Sequence, residues 1–267
     1  MNEIISLINN VDLKDESAYP KLFEIFSQSK QFPIFDVKIL INKYVYRARE
    51  NNGKRFVNFS ELSNPPIECV TTFGRANKPS QSVFYCSDSW ITPITELMPL
   101  WYQSKNAGDK FLITISEWKV IKELNVILIP DFYNDKMNPF TDTLQNKENI
   151  SNEQLTFLYF INQTFRKDTS NDKHIYKVTS AFCNILKMYY EKCLREKMDG
   201  VLYTSVQDKI GWNLALEEHV IKERMIILDR VFEQIIEKTN KKEYNNYIEP
   251  NSCKELDFEN KKIIWSD

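Results

Sequence analysis

A chain of 267 residues has room for one large domain or two small ones, and its 42% of hydrophobic residues can fill a sizeable core. The balance of 35 Lys and Arg against 37 Asp and Glu excludes a nucleic-acid binder that works by bulk positive charge. Five cysteines with no Cys-x-x-Cys pair, and two histidines, argue against a structural zinc site and fit the reduced thiols of a cytoplasmic protein. The first residues lack the basic and apolar regions of a signal peptide. No stretch approaches the roughly 18 apolar residues of a membrane span, so a soluble, cytoplasmic chain without membrane contact is expected.

Residues 2–9 place Ile4, Ile5, Leu7 and Ile8 at helical spacing. A second helix is predicted from Pro20, with Leu22, Phe23, Ile25 and Phe26 on its buried face. This front piece either packs as a collar over an edge of the core or recognises a partner. Residues 43–48 read as a strand, with Tyr44, Tyr46 and Ala48 on one face and Val45, Arg47 and Arg49 on the other. An inward-facing arginine needs a partner. Arg47 is therefore either half of a structural ion pair or a donor fork for a phosphate or a ribose hydroxyl. Residues 50–72, marked by Gly53, Asn58, Pro65 and Pro66, read as loops forming a rim beside a cleft.

From Gly74 to Glu96 the pattern is polar turn, short strand (Val83, Phe84, Tyr85), turn, and a helix opening on Thr92 as N-cap with Pro93 at its first position. Tyr85 and Glu96 are then either a half-buried aromatic and a solvated carboxylate, or a ring and a carboxylate converging on one cleft from two rigid elements. Residues 111–116 and 124–129 are β-rich runs and read as strands, with Trp118 between them as core. Residues 131–152 have no period and read as a loop, before Ser151 caps a helix bearing Leu155, Leu158, Tyr159 and Ile161. A longer helix is expected over about 174–197, ended by Asp199-Gly200. Residues 201–206 form a strand delivering Ser205, a hydroxyl either bonded to its own turn or offered to a site, and Asn213 has the same two readings. Residues 217–239 read as a strand followed by a helix, and the apolar tail with Tyr244, Tyr247, Ile248 and Trp265 should dock on the core.

Three blocks together resemble the RES family. Tyr46-Arg47 matches its Tyr-Arg strand, Gly74-Arg75-Ala76-Asn77 its G-R-x-N turn, and Tyr85 with Glu96 its Tyr and Glu block. Asp199-Gly200-Val-Leu-Tyr203-Thr-Ser205 matches its DG-x-x-Y-x-S block, and Asn213 the Asn that follows. The resemblance covers roughly residues 37–216. It implies an α+β fold of ADP-ribosyltransferase type: a split, mostly antiparallel sheet flanked by helices, holding NAD in a cleft between the sheet halves. It divides the chain into an N-terminal helical extension (1–36), a catalytic core (37–216, with an insertion at about 131–170) and a docked C-terminal segment (217–267).

The family includes toxins that deplete NAD by hydrolysis or phosphorolysis and are paired with helix-turn-helix antitoxins, and at least one member that transfers ADP-ribose to a protein. The resemblance thus implies NAD as substrate, inorganic phosphate as a co-substrate for phosphorolysis, an antitoxin partner, no metal and no direct nucleic-acid contact. It implies catalytic roles for Arg47, Tyr85, Glu96 and Ser205. Arg47, Arg75, Asn77, Tyr85, Ser205 and Asn213 would hold NAD. A carboxylate beside the ribose opposes the positive charge of an oxocarbenium-like state, which suits Glu96. An aromatic face can stack on nicotinamide, which suits Tyr85. Two other classes stay open: an ADP-ribosyltransferase with a protein target, and a binding module that keeps the cleft without the chemistry.

Overall fold

The alternating apolar runs pair into one nine-stranded sheet in a computed structural model that describes residues 1–29, 32–51, 53–131, 150–169, 172–208, 210–240, 243–247 and 252–266. The strands are β1 (Phe35–Ile39), β2 (Tyr44–Glu50), β3 (Val83–Ser87), β4 (Lys110–Val120), β5 (Leu124–Leu128), β6 (Gly200–Thr204), β7 (Trp212–Glu217), β8 (Ile226–Lys238) and β9 (Tyr244–Tyr247). Their order is β1-β5-β6-β7-β3-β2-β4-β8-β9; β5 and β6 run parallel and the other pairs antiparallel. The halves meet at the β2–β3 seam, where the strand pairing is a single residue pair, Tyr46 with Ser87. The class is α+β with a split, mostly antiparallel sheet, as the sequence implied.

Two-residue alternation assigns each strand two faces. On β6, Val201 and Tyr203 face one core and Leu202 the other; on β3, Val83 and Tyr85 share the first of these faces, with Phe84 and Cys86 on the second. The first core is covered by α1 (Asn2–Asn9), α2 (Ala18–Ser27), α5 (Asn152–Arg166) and α6 (Tyr176–Tyr189), counting in chain order after α3 (Phe59–Leu62) and α4 (Thr92–Ser104). Leu22 and Phe26 of α2 are fully buried there among Phe157 and Phe182. Burial of each such side chain contributes about 1.5–3 kcal/mol. The front piece is therefore part of this core, and Lys177 ties its turn down by donating to the carbonyls of Leu13 (2.9 Å) and Asp15 (2.8 Å). As expected, Ser151 caps α5, in a reciprocal capping box with Gln154. A third core lies under α4, where Ile94 and Trp101 pack on Ala48, Ile113, Ile115 and Ile236.

Several elements differ from the sequence reading. The long helix stops at Tyr189 and passes through a π turn (Tyr190–Leu194) to Arg195, whose φ of 58° ends it. Asp199-Gly200 is thus not a helix terminator. Gly200 opens β6, where a Cβ would lie 2.5 Å from the carbonyl oxygen of Ala215 on β7. Residues 217–239 run in the opposite order, a short helix α7 (Glu218–Lys222) and then the thirteen-residue β8. Trp118 pairs with Leu228 and Glu117 with Arg230, so Asp229 is bulged out; the bulge breaks the period of two that would have marked a strand. Residues 111–116 are part of the longer β4, which includes the buried Trp118. Residues 50–72 contain α3 and a 3₁₀ turn (Ile67–Cys69), contact the C-terminal end through the Asn58–Lys262 bridge, and do not line the cavity beside the β2–β3 seam. The tail docks as expected: β10 (Glu255–Asp257) and β11 (Lys262–Ile264) form a hairpin, Ile263 is buried, and Trp265 Nε1 donates to the Phe56 carbonyl at 2.8 Å. Most of the expected 131–152 loop, and Ile248 of the tail, lie outside the described residues. No described helix is long and apolar enough to cross a membrane.

Helix α4, which will carry Glu96, is fixed at its C-terminal end by a buried cation. Lys238, 3% exposed, donates its Nζ to the carbonyls of Trp101 (3.2 Å), Tyr102 (3.1 Å) and Lys105 (2.5 Å). The Trp101 oxygen also accepts from the Lys105 N–H at 3.1 Å, those of Tyr102 and Lys105 have no further helical turn to bond, and the helix dipole favours a cation there. Lys238→Met keeps the aliphatic stem, removes all three bonds and orphans the Tyr102 and Lys105 carbonyls. It is expected to cost about 3 kcal/mol, and to lower Tm by roughly 5–10 °C in a melting curve.

Candidate active site

The seam is short because the two strands part beyond the Tyr46–Ser87 pair, and Arg47 enters the gap. Its Nη1 donates to the Tyr85 carbonyl at 3.1 Å across it, and its guanidinium lies 5.4 Å from the ring centre of Phe84. Its Nε is closed off from solvent without a hydrogen-bond partner, and it makes no ion pair among the described residues. Burial, and then the neighbouring Arg49, lower its pKa to about 10, so it remains a cation near neutral pH. Of the two readings of Arg47, the structural ion pair is not formed among the described residues. Arg49 is turned away, donating to the Glu61 carbonyl and lying over Phe56.

Beside the seam is a cavity of about 360 Å³, within the size range of small-molecule sites. Arg47 and Ala48 of β2, Tyr85 and Ser87 of β3, Glu96 and Leu97 of α4, Tyr203 of β6 and Asn213 of β7 line it, with Gly74, Arg75, Cys86, Pro93 and Tyr176. The structure therefore brings five of the expected residues, Arg47, Arg75, Tyr85, Glu96 and Asn213, to one wall. Ser205 and Asn77 stand behind it.

Glu96 lies in the second turn of α4. Its Oε1 accepts from Ser205 Oγ at 2.5 Å and from Asn213 Nδ2 at 2.7 Å, lengths typical of charge-assisted bonds. Its Oε2 accepts no hydrogen bond from the described residues. Asn213 is oriented in turn by Ser87, whose hydroxyl donates to Oδ1 at 2.7 Å, leaving the amide nitrogen for Glu96. The carboxylate is thus held by one oxygen and has the other free at the cavity wall. Ser205, 1% exposed, acts on Glu96 rather than on the cavity. It also bonds its own turn, accepting from the Asp208 N–H at 2.9 Å, which is the first of its two sequence readings.

Tyr85 is fixed at its hydroxyl. It donates to Asn77 Oδ1 at 2.8 Å and accepts from the Ala76 N–H at 2.9 Å, and burial pushes its phenol well above the usual tyrosine range. Asn77, 5% exposed, spends its amide on the carbonyls of Thr72 and Lys78, so its side chain supports Tyr85 and the turn. Gly74 is required here: a Cβ would sit 2.2 Å from Asn77 Oδ1 and 2.8 Å from Tyr85 Oη. Arg75 donates to the carbonyls of Phe165 and Lys167 at the C-terminal end of α5 and lies 5.2 Å from the ring centre of Tyr176. It lines the cavity while capping a helix.

Tyr203, matched in the DG-x-x-Y-x-S block but given no role there, and Tyr176, which the sequence did not single out, complete an aromatic wall. Tyr203 shares the alternation of Val201 and Ser205, and Ser87 that of Tyr85, so the strand period carried a signal for both. Tyr176 comes from the start of α6 and had none. Burial raises the Tyr203 phenol far above its usual range, keeping it a neutral ring. Among the described residues no three His, Cys, Asp or Glu side chains gather as a metal site.

No family model matches the chain, and no curated protein matches it in sequence. Among solved structures, a chain in the crystal structure of the M. tuberculosis MbcT-MbcA toxin-antitoxin complex is similar with a TM-score of 0.36 and 12% identity, over 82% of this chain and 92% of that one.

Proposed function

We propose that this cavity binds NAD and cleaves its nicotinamide–ribose bond, by hydrolysis or by phosphorolysis. The observation that carries the reading is the state of Glu96. One oxygen is tied to Ser205 and Asn213, and among the described residues the other is free and the cavity's Arg47 has no carboxylate partner.

Cleavage breaks the C1′–N bond, with its electron pair leaving on nicotinamide. Positive charge grows on the ribose as the bond lengthens. Glu96 Oε2 can accept a ribose hydroxyl and oppose that charge, and Ser205 and Asn213 prevent the carboxylate from turning away. A water or phosphate oxygen then bonds to C1′; with water, the surplus proton passes to solvent. Arg47 supplies a cation for the pyrophosphate or the nicotinamide ribose. Tyr85 and Tyr203, neutral and held, offer ring faces for the nicotinamide. The role of toxin or defence effector, with a helix-turn-helix antitoxin partner, follows from the sequence resemblance and is part of the same proposal.

The test is to incubate the purified chain with NAD labelled in its adenine, with and without phosphate. Label in ADP-ribose means hydrolysis, and label in a phosphorylated ADP-ribose means phosphorolysis. Label on protein would replace this reading with ADP-ribosyl transfer, and unchanged NAD from folded protein would refute cleavage.

A further inference from the structure

The position of Glu96 depends on where α4 begins, and that helix begins without a capping side chain: its N-cap position is Ile91. Other groups hold the start. Ser89 Oγ accepts from the Thr92 N–H at 3.3 Å, and the Ser89 and Thr92 hydroxyls lie 2.8 Å apart. Thr92 Oγ1 donates to Asp208 Oδ2 at 2.7 Å, reaching across to the turn between β6 and β7. The Asp208 backbone N–H donates to Ser205 Oγ at 2.9 Å. That bond occupies the hydroxyl oxygen and leaves its proton for Glu96 Oε1. One residue thus touches both supports of Glu96, its helix and its hydrogen-bond donor.

Gly211 is shaped to the same contact. Its N–H donates to the Asp208 carbonyl at 3.1 Å and its carbonyl accepts from the Ser205 N–H at 2.9 Å. A Cβ there would lie 2.2 Å from Thr92 Oγ1 and 2.6 Å from Asp208 Oδ2, inside the clamp itself. Thr92 is fully buried, and neither it nor Asp208 lines the cavity. Thr92 stands four residues before Glu96 on the same helical face, so a shift of the helix start is passed to the carboxylate.

We infer that Asp208 and Thr92, with Gly211 giving them room, form a clamp between the β6–β7 turn and the start of α4 that positions Glu96 for the reaction. The inference rests on the reading of Glu96 as the charge-stabilising carboxylate. The clamp residues touch no substrate; they are positioning residues. An aspartate beside the N-terminus of α4 also suits the helix dipole, but that role alone would affect stability and not turnover.

Thr92→Val removes the hydroxyl at nearly constant shape, and Thr92→Ser keeps it. Nicotinamide release is measured per folded chain. Thr92→Val should lower kcat by about tenfold to a hundredfold, because small displacements of a reacting group are costly. KM for NAD should change little, and Thr92→Ser should behave as wild type. Gly211→Ala should fail in kcat as Thr92→Val does. A Thr92→Val chain with lowered Tm but undiminished kcat would overturn the inference. A wild-type chain that releases no nicotinamide would refute the proposed function instead. The clamp is then read by denaturant unfolding in a double-mutant cycle of Asp208→Asn with Glu96→Gln, whose side chains share no hydrogen bond: coupling between them supports it, and strict additivity overturns it.

Discussion

Replacing Arg47 by methionine should make the protein more stable and unable to hold NAD. The guanidinium is pressed into the β2–β3 seam with one hydrogen bond to the Tyr85 carbonyl, an unpartnered Nε, and another arginine as the strongest charge acting on it. Folding gains little from a desolvated cation in that state, and methionine would fill the same space against Phe84. Exchanges of buried charge for apolar side chains are commonly neutral to stabilising by about 1–4 kcal/mol, so Tm should rise by a few degrees. A substrate anion losing its charged partner forfeits roughly 2–5 kcal/mol, at least about a thirtyfold loss of affinity. Calorimetric titration and a melting curve on Arg47→Met read both effects. A fall in Tm with undiminished NAD affinity would mean that the arginine serves the fold. The opposite signs are the mark of a site that gives up stability for binding.

The second large effect is expected at Glu96. Glu96→Gln preserves an oxygen able to accept from Ser205 and Asn213, so the wall of the cavity should stand as it is. What disappears is the negative charge facing the ribose. Removing one preorganised charge-stabilising group costs about 10²–10³ in rate, and nicotinamide release should fall by that factor while NAD binding persists. Release at the wild-type rate would remove Glu96 from the chemistry. Loss of binding together with rate would make it an anchor for the ground state rather than a partner of the transition state.

The parts of the site visible in the sequence are those fixed by local pattern. The Gly74 turn, the strand carrying Tyr85 and the helix carrying Glu96 follow one another within 23 residues, and each has its own turn, alternation or proline signal. Ser205 was legible as the residue that a strand delivers; Asn213, open between turn and site, lies inside β7. Missing was what only nonlocal pairing decides: β2 and β3 are neighbours through one residue pair, with β4 on the far side of β2, and that brief contact makes the cavity. The helix opening shows the same limit. Thr92 reads as an N-cap, yet it is the first helical residue, because its hydroxyl is drawn to Asp208, 116 residues away. The end of α6 was missed for another reason. Lys192 and Lys197 suit a helix C-terminus, but the π turn and the left-handed Arg195 end it first. In β8 the bulge at Asp229 shifted the alternation and disguised a long strand.

The most direct test of the account is the structure of the Glu96→Gln chain crystallised with saturating NAD. The account predicts one NAD in the cavity beside the β2–β3 seam, an anionic or ribose oxygen on the Arg47 guanidinium, the nicotinamide against the tyrosine rings, and its ribose facing position 96. An empty cavity, or NAD bound elsewhere on the chain, would contradict it.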